Sequence, residues 1–391
     1  MSLIRSITFK RKPRWKMWLP WLKPCCPSTN AEQHEDEPMN FNPLSRLEMK
    51  QAIEGKGAPR RVPMTYHFWL SPDVFAQRKP DVVQLMNTYP MDVQNIIFNM
   101  PKVYEHAEDD SGYRWMIHDD PMPERHSGLD ERVAISDFDE LDDILADFPS
   151  PRYPGLLPNN PPDDGRYRLG YWWYWLFERH WELRGMTNAL TDYYDDPDNV
   201  HRLFRALTDF YLAVIERAHA ELHLDGIMIS DDLGTQTGPF FSKAVFTEFF
   251  KPYYREIIDK VHSLGMHFWL HACGNIELFL PDLIEIGLDV IHPIQKHTMD
   301  EKQIAGAFGH QICVWSGFDV QRTIPYGSPQ DVRDEVRFLI DTYYRTDGRL
   351  ILTAGNGITA DCPLDSLKAL FDESFTYGQQ KTGPDQTDNQ D

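Results

Sequence analysis

The chain has 391 residues, a formal net charge of −21, 41% hydrophobic residues and 13% aromatic residues. This is the composition of a globular protein with a sizeable core, and it excludes collagen-like, coiled-coil and disordered classes. The acidity argues against a nucleic-acid backbone as partner, and no apolar run of about 18 residues supports a membrane span.

Residues 1–40 differ from the rest. Seven cations and no acid lie within residues 1–23, which leaves about −28 on the remainder, the whole-chain −21 less those seven. RKPRWKMWLPWLKPCC is broken by prolines and lacks the continuous apolar core of a secretory signal. Trp15, Trp18 and Trp21 among cations, followed by Cys25 and Cys26, allow a surface-anchoring reading. The plainer expectation is a disordered basic extension over 1–40, a globular body over 45–380 and a polar tail over 381–391. With Cys273, Cys313 and Cys362 the cysteines number five, too few and odd for a disulfide framework, which points to a reducing cytoplasm.

RVPMTYHFWL (61–70) reads as a strand, PDVVQLMNTY (80–89) as a helix and VQNIIFNM (93–100) as a second strand. Residues 101–170 are irregular around one helical piece, DFDELDDILADF (137–148). So long an excursion is expected to cover an active site or an interface. LGYWWYWLFERHWELRGM (169–186) reads as an aromatic helical stripe, either core or dimer face; the alternative is a pocket wall for a flat apolar ligand.

The second half is regular. DGIMIS, MHFWL, DVIHPI, ICVWSGF and RLILTAG read as buried strands, and each is followed by a helical pattern. Five such units after at least two earlier strands predict an α/β fold, a (β/α)8 TIM barrel, in preference to an open doubly wound sheet. No G-x-G-x-x-G turn follows the first strand, which disfavours dinucleotide binding.

Barrel chemistry sits at the C-terminal ends of the strands, and nearly every end here is polar. His67 and Trp69 close the first, with Asp231 and Asp232 at the next and Gln236 in the loop beyond. His271 and Cys273, then His292 with Gln295, then Asp319 and finally Asn356 follow. Asp231, Asp232 and Asp319 are the candidate catalytic carboxylates. His67, Trp69, Gln236, His292, Gln295 and Asn356 are candidate substrate contacts. One aspartate of the Asp231–Asp232 pair is expected to face the mouth and the other the helices, since neighbours on a strand point oppositely. His271 and Cys273, two apart on a strand, leave on one face, and both are good zinc ligands.

FERHWELRGMTNALTDYYDDP (177–197), SDDLGTQTG (230–238), HACGN (271–275), SGFDVQRTIPYGSPQDVRDEV (316–336) and AGNGITADCPLDSLKAL (354–370) resemble, in order, segments of the uroporphyrinogen decarboxylase-like superfamily. The resemblance spans about residues 45–380 and implies a (β/α)8 barrel. The superfamily's decarboxylases carry an arginine-rich segment near the N-terminus, which RVPMTYHFWLSPDVF lacks. Its corrinoid-dependent methyltransferases hold zinc through His-x-Cys and a later cysteine. His271 and Cys273 match, whereas Asn356 stands at the later position and Cys362 lies six residues beyond. Cys362, Asp232 or a substrate atom would then complete the shell.

The resemblance thus implies methyl transfer between a corrinoid and a small thiol-type acceptor, with zinc, a possible corrinoid-protein partner and a possible homodimer. Decarboxylation of a porphyrinogen or related pyrrole carboxylate is the alternative activity. A non-enzymatic corrinoid- or tetrapyrrole-binding barrel is the third reading.

Overall fold

A computed structural model describes residues 41–100, 133–146 and 148–382. The expected basic extension over 1–40, most of the polar tail, residues 101–132 of the 101–170 excursion and the His67 side chain lie outside the described residues. Among the described residues no helix is long and apolar enough to cross a membrane.

In chain order the elements are α1 (Arg46–Glu54), α2 (Lys79–Thr88), β1 (Val93–Ile97), α3 (Leu141–Ala146), β2 (Tyr167–Trp172), α4 (Leu176–Arg184), α5 (Met186–Asp195) and α6 (Pro197–Leu222). Then follow β3 (Gly226–Ser230), α7 (Lys243–Val245), a π turn (Phe246–Phe250), α8 (Lys251–Ser263), β4 (His267–His271), α9 (Leu280–Glu285) and β5 (Val290–His292). The last are α10 (Glu301–Phe308), β6 (Cys313–Phe318), α11 (Thr323–Tyr326), α12 (Pro329–Tyr343), β7 (Leu350–Ala354) and α13 (Leu364–Thr382). The strands form one parallel sheet in the order β1 to β7, as repeated β-then-α crossovers require.

Strand alternation divides the core. Leu169, Met228, Trp269, Val290, Trp315 and Ile351 pack together on one face. Ile227, Ile229, Phe268, Leu270, Ile291 and Leu352 face the helices instead. Met49 and Ile53 of α1 join the first cluster. Helix α1 therefore seals the end where the strands begin. Its Arg46 and Lys50 reach Asp225, just before β3, at 2.8 and 2.7 Å. Ser45 starts it with a capping box to Glu48.

The segment expected as a first strand, 61–70, makes only one parallel bridge, Met64 to Leu352 of β7. Pro63 has no N–H to give to a ladder, and the chain turns at once into a 3-10 helix, Tyr66–Phe68. The segment still joins both edges of the sheet. Leu352 donates to the Pro63 carbonyl (2.8 Å), Thr65 to that of Leu352 (3.0 Å) and Asp92, just before β1, to that of Met64 (3.0 Å). Buried Asp92 holds this junction: its carboxylate takes both Arg61 guanidinium nitrogens at 2.6 and 2.7 Å and the N–H groups of Leu44 and Met64.

The aromatic run 169–186 is not one helix. It is the end of β2, a break at Tyr174 (φ 66°) and then α4. Helices α5 and the 26-residue α6 lie where no element was assigned from sequence. The helix expected over 137–148 is a 3-10 turn followed by α3.

Candidate metal centre

Parallel register sets Ser230 beside His271 and His271 beside His292, so the ends of β3, β4 and β5 are level. Just past them the loops after β3 and β4 meet backbone to backbone. Gly234 donates to the Cys273 carbonyl (3.1 Å) and Asn275 to that of Thr235 (2.7 Å). A Cβ on Gly274, at φ 84°, would stand 2.3 Å from the Gly234 carbonyl group, so no side chain fits there.

This junction brings together Asp232, His271 and Cys273, whose ligand atoms all lie within 4.8 Å of one another. His271 Nε2 is 3.4 Å from Cys273 Sγ and 3.5 Å from Asp232 Oδ1, and that oxygen also accepts the Cys273 N–H at 2.8 Å. Asn356 Nδ2 donates to Cys273 Sγ (3.3 Å), and Gln295 accepts the Gly274 N–H (2.6 Å). His271 Nδ1 lies 2.6 Å from His292 Nδ1, and His292 Nε2 lies 2.9 Å from the Ala354 carbonyl oxygen. Trp69 stacks on His292 at 5.0 Å and lies 4.9 Å from His271, with Trp173 beside it at 5.5 Å.

Burial lowers the pKa of His271, and that of His292 further, so both rings are neutral at neutral pH. Burial, reinforced by Asp232 and Glu178, pushes the Cys273 thiol well up. A thiolate here requires a nearby cation.

Other residues selected from sequence lie elsewhere. Asp231 faces the helical layer, accepting the Glu178 N–H at 2.9 Å and the Tyr254 hydroxyl at 2.7 Å, so it pins α4 and α8 to β3. Asp319 accepts the N–H groups of Gln321 and Arg322, closing the turn into α11. Gln236 is exposed at its loop tip. Cys362 is buried in the helix-side core and is no member of the three-ligand group. His292, expected at the substrate, is fully buried between His271 and β7.

Sequence reading passed over Glu178. It is buried, one carboxylate oxygen has no hydrogen-bond partner, and burial followed by Asp232 raises its pKa well above the usual range. The available signal was a glutamate inside the apolar stretch WLFERHW.

Burial also pushes the Asp231 carboxyl up to about 7. A carboxyl raised above its unfolded value near 3.9 favours folding below about pH 4, and that contribution is lost as pH rises towards 7, by on the order of a few kcal/mol. Asp231→Asn, which keeps the shape, is expected to flatten this decline. Urea unfolding from pH 4.5 to 7.5 with a chelator present would measure it, and an unchanged slope would refute the assignment.

Three similarities to known proteins accompany this geometry. The family model described as Uroporphyrinogen decarboxylase (URO-D) matches residues 182–377. The methylcobamide:CoM methyltransferase MtbA of Methanosarcina mazei is 27% identical over 183 residues, 46% of this chain and 50% of that protein. The chain thus spans about half the length of this curated relative. A solved methyltransferase from Methanosarcina mazei superposes with a TM-score of 0.53 at 14% identity, over 85% of this chain and 98% of that one, a likeness of fold.

Proposed function

Because the chain belongs to the uroporphyrinogen decarboxylase family, we propose that it is an enzyme of the family's corrinoid methyltransferase type, carrying a methyl group between a corrinoid and a small thiol. The observation that carries this reading is the convergence of His271 Nε2, Cys273 Sγ and the Asp232 carboxylate beside the strand ends. A neutral imidazole, a sulfur and a carboxylate are a zinc donor set, and three protein donors leave one position for a substrate. Bound zinc would supply the Lewis acidity that keeps an acceptor thiol ionised at neutral pH.

The chain's own residues do the rest. Asp232 orients the Cys273 amide through Oδ1 and contributes its carboxylate to the donor set, so the acceptor's proton would leave to solvent. Trp69 and Trp173 wall the approach to His271. A methylcorrinoid held at the strand-end face would supply the methyl group as donor substrate, the acceptor sulfur gaining the carbon and the corrinoid keeping the pair of the bond that is lost. Asn356, where a second thiol is expected, donates to Cys273 Sγ and is read as an outer partner rather than a ligand.

The same reading makes the Pro63–Thr65 segment the eighth stave of a closed (β/α)8 barrel. It places the protein in the cytoplasm and leaves the strand-end face for a corrinoid-bearing partner. The alternative, metal-free decarboxylation of a porphyrinogen, draws on the family model's description. Against it, Arg78 is committed to the Ala360 and Cys362 carbonyls and Arg179 pairs with Glu182.

Purified protein is expected to hold about one zinc per chain and to demethylate methylcobalamin when a thiol is added, read from the visible band. No zinc and no turnover, or carbon dioxide release from a porphyrinogen with the metal removed, would reject methyl transfer.

A further inference from the structure

We propose that His292 is a positioning residue that fixes which nitrogen of His271 is left for the cation, an inference that rests on the metal reading above. A carbonyl oxygen only accepts hydrogen bonds. The contact between His292 Nε2 and the Ala354 carbonyl at 2.9 Å therefore places the proton of a neutral His292 on Nε2. Its Nδ1 is then a lone pair. His271 Nδ1, 2.6 Å away, must be the donor. That leaves the His271 lone pair on Nε2, the nitrogen lying 3.4 Å from Cys273 Sγ and 3.5 Å from Asp232 Oδ1.

The relay is rigid at each step. Ala354 ends β7 and is held in register with Phe318 of β6. The His292 ring is stacked under Trp69, with planes 11° apart, and Trp315 packs on it at 4.5 Å. Its orientation is therefore set by packing before any ligand arrives.

Metal-binding histidines usually give their second N–H to a carboxylate or a carbonyl directly. Here the carbonyl is reached through a second imidazole. That neutral partner puts no further carboxylate beside Asp232, Asp231 and Glu178, where burial, and then Asp232 and Asp231, already raise the Glu178 pKa.

The test compares wild type, His292→Leu and His292→Gln in the full chain. Glutamine keeps one acceptor and one donor, about as far apart as two ring nitrogens, whereas leucine keeps neither. In metal-free wild type, imidazole 15N spectra should show the His271 proton on Nδ1; a proton on Nε2 overturns the inference without reference to any metal. Zinc titration against a chromophoric chelator should show His292→Leu weakened by about 10-fold or more, with most of that loss recovered in His292→Gln. A wild-type protein that binds no zinc defeats the metal reading, while the 15N result still decides the relay. If wild type binds and leucine matches it within about twofold, or glutamine is as weak as leucine, the positioning role is wrong. Should the leucine variant fail to fold, the glutamine variant and the wild-type spectrum decide the matter.

Discussion

Asp92→Ala is expected to lower folding stability by about 3–5 kcal/mol, the cost of removing one partner of a buried ion pair. Asp92 is fully buried and Arg61 is 3% exposed. Alanine would leave a guanidinium with no counter-charge and would orphan the N–H groups of Leu44 and Met64 as well. The loss falls where 61–65 joins β7 to β1, so it should loosen both edges of the sheet together. Urea unfolding would measure it. Asp73→Ala, which removes an exposed partner of Lys79, is the control, and there a change below about 1 kcal/mol is expected. If the two variants lose the same amount, Asp92 does not hold the junction.

Cys273→Ala should abolish zinc retention and methyl transfer together. Losing a ligand is expected to exceed the roughly 10–100-fold penalty of an outer-partner change. The metal-free protein should not be weakened, because the thiol lies beside Asp232 and makes few bonds of its own. Wild type with zinc at about 100 times its dissociation constant should gain about 2.7 kcal/mol of stability, and Cys273→Ala almost none. Equal stabilisation of both would remove Cys273 from the shell.

The units from β3 to β7 could be read directly, because runs such as GIMI are apolar and helices of 3.6 periodicity follow them. Aromatic residues misled where they suit both structures. Tyr167–Trp172 is strand and Leu176–Arg184 is helix, and the break between them falls at a tyrosine rather than at a glycine or proline. Helix α6 had its start signal, Asp196 followed by Pro197, and was passed over.

Within the site, the His-x-Cys spacing marked the pair, but Cys273 lies past the end of β4, and the loop junction with Gly234, not strand alternation, carries it to His271. The role of His292 was not readable, since it depends on the β4–β5 register and on a carbonyl of β7. Glu178 arrives from α4, and no spacing to Asp232 signals it. Asp319 looked free because α11, whose turn it closes, is only four residues long.

The glycine-to-glycine contact between the loops after β3 and β4 also bears on how this sequence can drift. Gln236 and Thr237, exposed at the tip, are open to single changes. Gly274 is not, since any side chain would strike the Gly234 carbonyl, and a Cβ at Gly234 would come within 2.7 Å of the Cys273 carbonyl oxygen. The two loops can vary in shape only through paired replacement. Descendants of this sequence that alter one glycine and keep the His-x-Cys spacing should therefore carry a compensating change in the other loop.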